Sequence, residues 1–415
     1  MDVVLQNALL IHPGNKFHNQ RIDIRIEDHV ITAIGNTIST EGAEVITSPN
    51  LHVAPGFFDL HVRACDPGLE HKEDLTTVAN AAAAGGFTGV ALSPKTEPVI
   101  DSKSLIQYIT KQVKNDPIDF HPVGAMSEGL KGENISEMYD MHLNGAVAFT
   151  DEKIGIQNAD LLRRALLYTK NFNGLILSFP NDESISHGGK MNEGKVSTML
   201  GLKGIPALAE EVMISRDLFI AEYCEARIHF STISTAKSVE LIRAAKQKGM
   251  QVTCDVAVHN LVFTDEELTE FDTNFKTNPP LRTQADVDAL IEGIKDGTID
   301  AITSDHCPEN IENKACEFDH ADFGISSLET TAALLFEHLT GKLSLDQIVN
   351  CLAVNPRKLL GLTLVTIEEG AAANLVYFDP DVNWTPEKKT WNSKSLNNPM
   401  IGKTLKGKVL GIVKG

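Results

Sequence analysis

A short apolar stretch that ends in polar residues is the part of the sequence best placed to do chemistry. Residues 53–62 have the pattern of a buried strand, and a Pro-Gly turn follows at residues 67–68. His61 and Arg63 flank one apolar residue, so on a strand their side chains point to the same face. Two histidines at this spacing would form a natural metal-binding pair. Here only the first of the two positions is a histidine, and the second is an arginine.

Composition and charge limit the classes of function. With 415 residues, 42% of them hydrophobic and 22% charged, the sequence is typical of a soluble globular protein with one large domain, or a large and a small one. A net charge of −19 argues against binding nucleic acid or an acidic membrane surface. No apolar run is long enough to span a bilayer, and the N-terminus lacks the basic region of a secretion signal. We therefore expect a cytoplasmic protein.

The six cysteines are scattered along the chain, without a CxxC pair. This pattern favours reduced thiols over a disulfide framework or a zinc knuckle.

The order of apolar runs and helical stretches predicts the fold. Between the two chain ends, about eight short apolar runs alternate with helical patterns, which predicts a TIM barrel with its site at the carboxyl ends of the strands. Both chain ends are rich in strand patterns instead. We expect residues 1–52 and 363–415 to form one small β-sandwich domain, and residues 53–362 to form the barrel.

Several separate motifs, in a fixed order, resemble one enzyme family. They are Pro55-Gly-Phe-Phe-Asp-Leu-His-Val-Arg63, Glu70-His-Lys-Glu-Asp74, Ala81-Ala-Ala-Ala-Gly-Gly-Phe-Thr88, Asn278-Pro-Pro-Leu-Arg282 and Thr303-Ser-Asp-His-Cys-Pro308. Together they resemble the dihydroorotases of the amidohydrolase superfamily, and most closely the type that partners bacterial aspartate transcarbamoylase. The resemblance covers about residues 53–362 and implies the same barrel and small domain.

The resemblance implies a metal site that this sequence retains only in part. The retained ligand positions are His61, Asp151, His229 and Asp305, of which Asp305 also matches the catalytic carboxylate. Active relatives have a histidine at Arg63 and another after the fourth barrel strand, where Phe179 falls in this chain. Zinc in such a site needs at least three protein ligands. We therefore expect no bound cofactor.

The residues that the resemblance assigns to substrate binding have changed as well. Asn278 and Arg282 match a substrate-loop motif. Three other positions differ, with Cys65 for an arginine, Lys95 for an asparagine and Glu309 for a histidine. A glutamate there would repel the carboxylate of dihydroorotate. Changes among both the metal ligands and the substrate-binding residues predict that the chain has lost catalytic activity while keeping the fold.

Two hypotheses from different classes follow from the sequence. The first is an inactive dihydroorotase-like subunit of pyrimidine biosynthesis, kept as a structural partner, either as a homodimer or with aspartate transcarbamoylase. The alternative is an active dihydroorotase, or a related cyclic amide hydrolase, that uses a reduced zinc site. Metal content distinguishes the two.

Arg63 has a predicted role under the first hypothesis. Without metal, Asp151 and Asp305 would lie close together in a partly desolvated barrel mouth, where like charges are unfavourable. A guanidinium is always charged and binds a carboxylate through two hydrogen bonds. We predict that Arg63 occupies the vacated metal position and pairs with Asp305, Asp151 or both.

Overall fold

Both chain ends contribute to one small β-domain. The computed structural model describes residues 2–112 and 117–415. The sheet of this domain contains β1 (Val3–Leu10), β2 (Arg21–Glu27), β3 (Val30–Gly35), β4 (Glu44–Ile46), β5 (His52–Pro55), β17 (Asn374–Trp384) and β18 (Leu405–Lys414). Its strand order is β18-β17-β5-β1-β2-β3, with β4 paired to β1, so the C-terminal strands pair directly with N-terminal ones. Alternating isoleucines in β2 supply its core.

Parallel strands form the barrel. They are β6 (Phe57–Val62), β7 (Phe87–Leu92), β8 (Asp119–Pro122), β9 (Gly124–Ala125), β10 (Phe149–Thr150), β11 (Ile176–Ser178), β14 (Ile228–Phe230), β15 (Val252–Ala257) and β16 (Ala301–Thr303). A parallel bridge between Val62 and His306 joins the first strand to the segment after the last. A separate two-stranded ribbon holds β12 (Met191–Asn192) and β13 (Gly204–Ile205).

The helices lie mainly in the connections between these strands. They are α1 (Leu75–Ala84), α2 (Lys103–Gln112), α3 (Met138–Leu143), α4 (Ala159–Lys170), α5 (Glu183–Ser186), α6 (Lys195–Leu200), α7 (Ala207–Cys224), α8 (Ala236–Gln247), α9 (Val258–Val262), α10 (Gln284–Lys295), α11 (Ile311–Lys314), α12 (Thr331–Leu339), α13 (Leu345–Val349) and α14 (Asn355–Leu359). None of the helices in the described ranges combines the length and apolar character that crossing a bilayer requires.

An aromatic cluster joins the two domains. The ring of Phe378, on β17, lies 6.2 Å from Phe57 of the barrel and 4.8 Å from Phe336 of α12. All three side chains are buried. The predicted fold class, a TIM barrel with a small domain from both chain ends, is confirmed. The division at residues 52/53 and 362/363 stays a prediction, and the small sheet extends to Pro55.

A buried carboxylate fixes the first barrel strand to the last, directly below the site. Asp59 of β6 accepts hydrogen bonds from the Thr303 hydroxyl at 2.5 Å, the Ser304 amide at 2.7 Å and the His61 amide at 2.9 Å. A fully buried carboxylate requires such donors. These bonds set the direction in which His61 enters the barrel mouth.

Candidate active site

Two histidines meet on one buried carboxylate at the mouth of the barrel. His61 Nε2, at the end of β6, lies 2.5 Å from Asp255 Oδ2, and His229 Nε2, on β14, lies 2.7 Å from the same oxygen. Burial alone would favour neutral Asp255, but the two imidazoles hold its pKa well below its usual range. Burial opposes protonation of His61, but the Asp255 charge outweighs it and raises the pKa of His61. The charged forms of Asp255 and His61 therefore stabilise each other.

This trio is the part of the site that could hold a metal. One donor atom from each of His61, His229 and Asp255 lies within 4.8 Å of the others, and among the described residues no other trio of possible ligands is grouped as closely. Zinc binds such donors at about 2.0–2.2 Å, which holds neighbouring ligand atoms roughly 3 Å or more apart. The observed separations of 2.5 and 2.7 Å are hydrogen-bond distances instead. The arrangement fits one ion only if Asp255 moves, and it does not fit a two-metal centre.

Arg63 binds a carboxylate that was not predicted. Its Nε and Nη2 donate to the two carboxylate oxygens of Glu152, both at 2.7 Å, and its Nη1 lies 2.7 Å from Cys307 Sγ. The predicted pairing of Arg63 with Asp305 or Asp151 is therefore wrong. Asp151 faces away from Arg63 and accepts hydrogen bonds from the Ser127 amide at 2.8 Å and hydroxyl at 2.5 Å.

The backbone explains the exchange of neighbouring carboxylates. Glu152 has a φ of +59°, a conformation that non-glycine residues adopt uncommonly. This turn brings the Glu152 side chain to Arg63 while Asp151 stays in the loop below. In this segment, the carboxylate that faces the barrel mouth is therefore that of Glu152, one residue beyond the predicted ligand Asp151.

A lysine neutralises Asp305. Lys153 Nζ lies 2.8 Å from Asp305 Oδ1 and donates to the Thr232 hydroxyl at 2.9 Å. The same ammonium lies 5.0 Å from the centre of the Phe179 ring, close enough for a cation–π contact. On the other side of the carboxylate, His259 Nε2 is 3.8 Å from Asp305 Oδ2. Burial lowers the pKa of His259 to about 4, so this imidazole is neutral near pH 7 and adds no charge.

Phe179 lies inside the barrel mouth, where the resemblance places a histidine in active relatives. Its side chain is buried against the space that His61, Arg63 and Asp305 also line. The preceding residue, Ser178, turns outward and donates to Asp217 at 3.0 Å. Of these two neighbouring residues, Phe179 faces the site, and it brings no ligand atom.

A cavity of about 260 Å³ opens above these residues. Most of the predicted substrate-binding positions line it, together with two lysines that were not predicted. These residues are Arg63, Cys65, Lys72, Lys95, Lys153, Asn278, Asp305 and Glu309. Glu309 is held 2.5 Å from Lys72 Nζ, which offsets the repulsion expected between Glu309 and an anionic ligand.

Arg282 is not part of this cavity, contrary to prediction. Its guanidinium is buried and donates to the Ser234 hydroxyl at 3.0 Å, Asn192 Oδ1 at 2.9 Å and the Ile205 carbonyl at 2.8 Å. These bonds fasten the β12–β13 ribbon to the loop after β14. The side chain therefore stabilises the scaffold.

The two cysteines at the site are neutral thiols. Burial raises the pKa of Cys65 to about 12 and that of Cys307 to about 11. Neither has the low pKa of a nucleophilic cysteine.

Sequence reasoning missed Asp255 and Lys153. Asp255 directly follows a short strand-like run at residues 251–254 of the sequence, so the rule that site residues come after strands could have found it. Lys153 stands three residues beyond β10, where a lysine is ordinarily a solvated surface residue.

The Glu152–Arg63 pair predicts an acid-dependent loss of stability. Burial opposes ionisation of Glu152, but Arg63 lowers its pKa from the ordinary 4.5 to about 2. A depressed carboxyl pKa stabilises the folded state above pH 4.5, and this contribution disappears as the pH falls towards 2. We expect a loss of about 3 kcal/mol from this group, measured as the free energy of unfolding in urea across that range. Glu152→Gln should show a correspondingly flatter pH profile, and identical profiles would contradict the assignment.

Comparison with known proteins identifies the family. A family model described as Dihydro-orotase-like matches residues 51–238, and one described as Amidohydrolase family matches residues 183–415. A protein named dihydroorotase from Pelotomaculum thermopropionicum is 44% identical over 410 residues, which cover 98% of this chain and 96% of that protein. The chain belongs to the dihydroorotase family of amidohydrolases. A second dihydroorotase, from Acetivibrio thermocellus, is 42% identical over 394 residues, covering 94% of this chain and 92% of that protein.

Solved structures of a hydantoinase and a dihydropyrimidinase share the fold of this dihydroorotase-family chain. An L-hydantoinase from Arthrobacter aurescens gives a TM-score of 0.86 at 23% identity, covering all of this chain and 97% of that one. A dihydropyrimidinase from Brevibacillus agri gives 0.82 at 22% identity, covering all of this chain and 94% of that one. The family models and the dihydroorotase relatives confirm the dihydroorotase resemblance predicted from the motifs, and the solved structures add agreement in fold.

Proposed function

We propose that this protein is a catalytically inactive dihydroorotase homologue of pyrimidine biosynthesis that acts as a structural partner. The pairing of Asp305 with Lys153 is the observation that carries the proposal. In the family, this carboxylate takes a proton from a metal-bound hydroxide. Here the Lys153 ammonium lies 2.8 Å from Asp305 Oδ1. It forms an ion pair with this carboxylate and supplies the positive charge that a metal would otherwise provide.

The second ion pair supports the same proposal. Arg63 stands at a ligand position and binds Glu152 with both carboxylate oxygens engaged. Two carboxylates at the mouth are therefore neutralised by side chains of the chain itself. Phe179 adds an apolar ring where active relatives have an imidazole. The groups that would hold and use two metal ions are thus paired with each other or replaced.

One observation favours the alternative of an active amidohydrolase with a reduced metal site. His61, His229 and Asp255 offer three donor atoms, the minimum for a zinc ion with a free position. If zinc bound there, it could polarise a cyclic amide carbonyl. Lys153 would still occupy Asp305, so the chain would lack a free carboxylate to act as the base.

Metal content and turnover test the two functions against each other. We expect the protein purified from zinc-supplemented cells to carry below roughly 0.1 zinc per chain, because three of its possible donors are tied in hydrogen bonds. We also expect no conversion of dihydroorotate or of carbamoyl aspartate. The relative from Pelotomaculum thermopropionicum, prepared in the same way, serves as the control. About one zinc per chain together with turnover would establish the alternative.

If the chemistry is lost, the surface carries the retained role. We propose that the chain forms a homodimer or associates with aspartate transcarbamoylase. Co-purification and sedimentation with the transcarbamoylase of the same organism test this association. Absence of a complex at micromolar concentrations would leave the homodimer as the proposed assembly.

A further inference from the structure

Two of the six cysteines are buried outside the hydrophobic core. Cys224, Cys254 and Cys351 pack among the apolar side chains of the main core cluster, where a thiol acts as a small hydrophobe. Cys65 and Cys307 are also buried, but among the described residues they belong to none of the core clusters. Both line the cavity at the barrel mouth instead. These two thiols therefore border a polar space that opens to solvent.

The backbone brings Cys65 and Cys307 together from distant parts of the chain. Val62 and His306 form a parallel bridge, and the Arg63 amide donates to the His306 carbonyl at 3.0 Å. Paired strands lie only about 4.8 Å apart. This register places Arg63 beside Cys307, in agreement with the distance of 2.7 Å between Arg63 Nη1 and Cys307 Sγ. Cys65 follows Arg63 by two residues, so the two cysteines are near neighbours.

The electrostatics of the cavity agrees with this placement. Burial is the main cause of the raised pKa of Cys65, and the nearby Cys307 is the next. The two thiols are thus close enough for the charge of one to oppose ionisation of the other. A cation bound between them would remove that opposition.

Positive side chains surround the two thiols. Arg63, Lys72 and Lys153 line the same cavity and are paired with carboxylates. Lys95 lines it as well, and within the described part of the chain no carboxylate forms an ion pair with its ammonium. Cysteine binds a metal as the thiolate. Lys95 therefore supplies a positive charge that could offset an anionic metal–thiolate complex.

We propose that Cys65 and Cys307 form a binding site for a soft monovalent metal ion such as copper(I). Thiolate ligands select copper(I) over harder ions, and this ion accepts two sulfur ligands. Zinc would need at least one further protein ligand, but the carboxylates of Asp305 and Glu309 are already held by lysines.

The proposed binding step exchanges protons for the metal without transfer of electrons. Two thiols release two protons, two sulfur–copper bonds form, and the complex carries one net negative charge. The proposal goes beyond the proposed function and does not depend on whether the barrel site is active.

Competition with bicinchoninate, a chelator that is coloured when it holds copper(I), tests the site in anaerobic buffer with ascorbate. We expect about one copper(I) per chain, and binding weaker by roughly a hundredfold or more in Cys65→Ser and in Cys307→Ser, because each keeps a single thiol. The matched control is Cys316→Ser, at a half-buried cysteine outside the cavity lining, which should bind like the unmodified chain. Circular dichroism checks that the variants are folded.

Phenylarsine oxide tests the spacing of the two sulfurs without copper. Its arsenic forms bonds to two thiols with release of one water, and the product is stable only where both thiols reach the same arsenic. We expect one phenylarsenic group per native chain by mass spectrometry, together with protection of Cys65 and Cys307 from alkylation. This measurement uses the unmodified chain, so it decides the question even if a variant fails to fold.

Three results would overturn the proposal. One is an unmodified chain that takes no copper(I) from the chelator or leaves Cys65 and Cys307 open to alkylation after treatment with the arsenical. Another is copper binding that both Cys65→Ser and Cys307→Ser retain. The third is loss of copper in Cys316→Ser, which would place the metal elsewhere. None of these readouts involves zinc content or dihydroorotate turnover, so failure here is distinguishable from failure of the catalytic proposal.

Discussion

Replacing Arg63 with methionine is expected to destabilise the protein by about 3–5 kcal/mol. The change removes both hydrogen bonds to Glu152 and leaves a nearly buried carboxylate without its principal partner. Methionine keeps much of the apolar stem, so the loss reports the missing charge rather than missing volume. The free energy of unfolding in urea measures the effect.

A double-mutant cycle separates the ion pair from other effects. Removing both partners, in Arg63→Met with Glu152→Met, leaves no unpaired charge and should be less destabilising than the sum of the two single changes. The matched control is Lys237→Met at the exposed Lys237–Glu240 pair, where a change within about 0.5 kcal/mol is expected. A loss below about 1 kcal/mol for Arg63→Met would show that water or Lys95 compensates for the arginine.

Zinc binding is expected to return only when three positions change together. Arg63→His alone should leave the chain without zinc, because Lys153 still occupies Asp305 and Phe179 still provides no ligand. The triple variant Arg63→His, Lys153→Ala and Phe179→His restores two imidazoles and frees one carboxylate. We expect this variant to bind about one zinc per chain, because two added imidazoles and the freed Asp305 carboxylate supply three donors outside the hydrogen-bonded trio of His61, His229 and Asp255.

Metal analysis after dialysis against zinc-free buffer measures this prediction. Lys153→Ala alone is the control, since it frees Asp305 without adding an imidazole and should stay below roughly 0.1 zinc per chain. Stoichiometric zinc in Arg63→His alone would show that one arginine accounts for the missing metal. That result would favour the active-enzyme alternative.

The fold was predictable because its pattern is repeated along the chain. Apolar runs alternate with helical patterns many times, so an error in assigning one element does not change the prediction of a barrel. The β-rich chain ends indicate the small domain. His61 followed from its place at a strand end, whereas His229 and Asp305 were assigned from the motifs of the resembled family; a barrel gathers such strand ends at one mouth. The exact domain boundaries are harder to predict, since β5 belongs to the small sheet while β6 begins the barrel two residues later.

The ion pairs of the site could not be predicted in the same way. Asp151 and Glu152 are neighbours of the same charge, and only a local backbone turn decides which one faces Arg63. Lys153 lies in a loop far from Asp305 in the sequence, and no periodic sequence pattern predicts that the two residues meet. Arg282 stands in a substrate-loop motif, yet three acceptors from the scaffold satisfy its guanidinium. Such choices depend on tertiary contacts.

The pairs Arg63–Glu152 and Lys153–Asp305 have a consequence for the evolution of this lineage under the proposed function. The positive charges that neutralise these carboxylates belong to side chains of the protein itself, so folding of the site does not depend on the zinc supply of the cell. A single reversion would leave a carboxylate without its partner, before any ligand set is complete enough to attract a metal. Each step back towards a metal centre would therefore be selected against on its own. We expect descendants to preserve these pairs and to diverge on their outer surfaces.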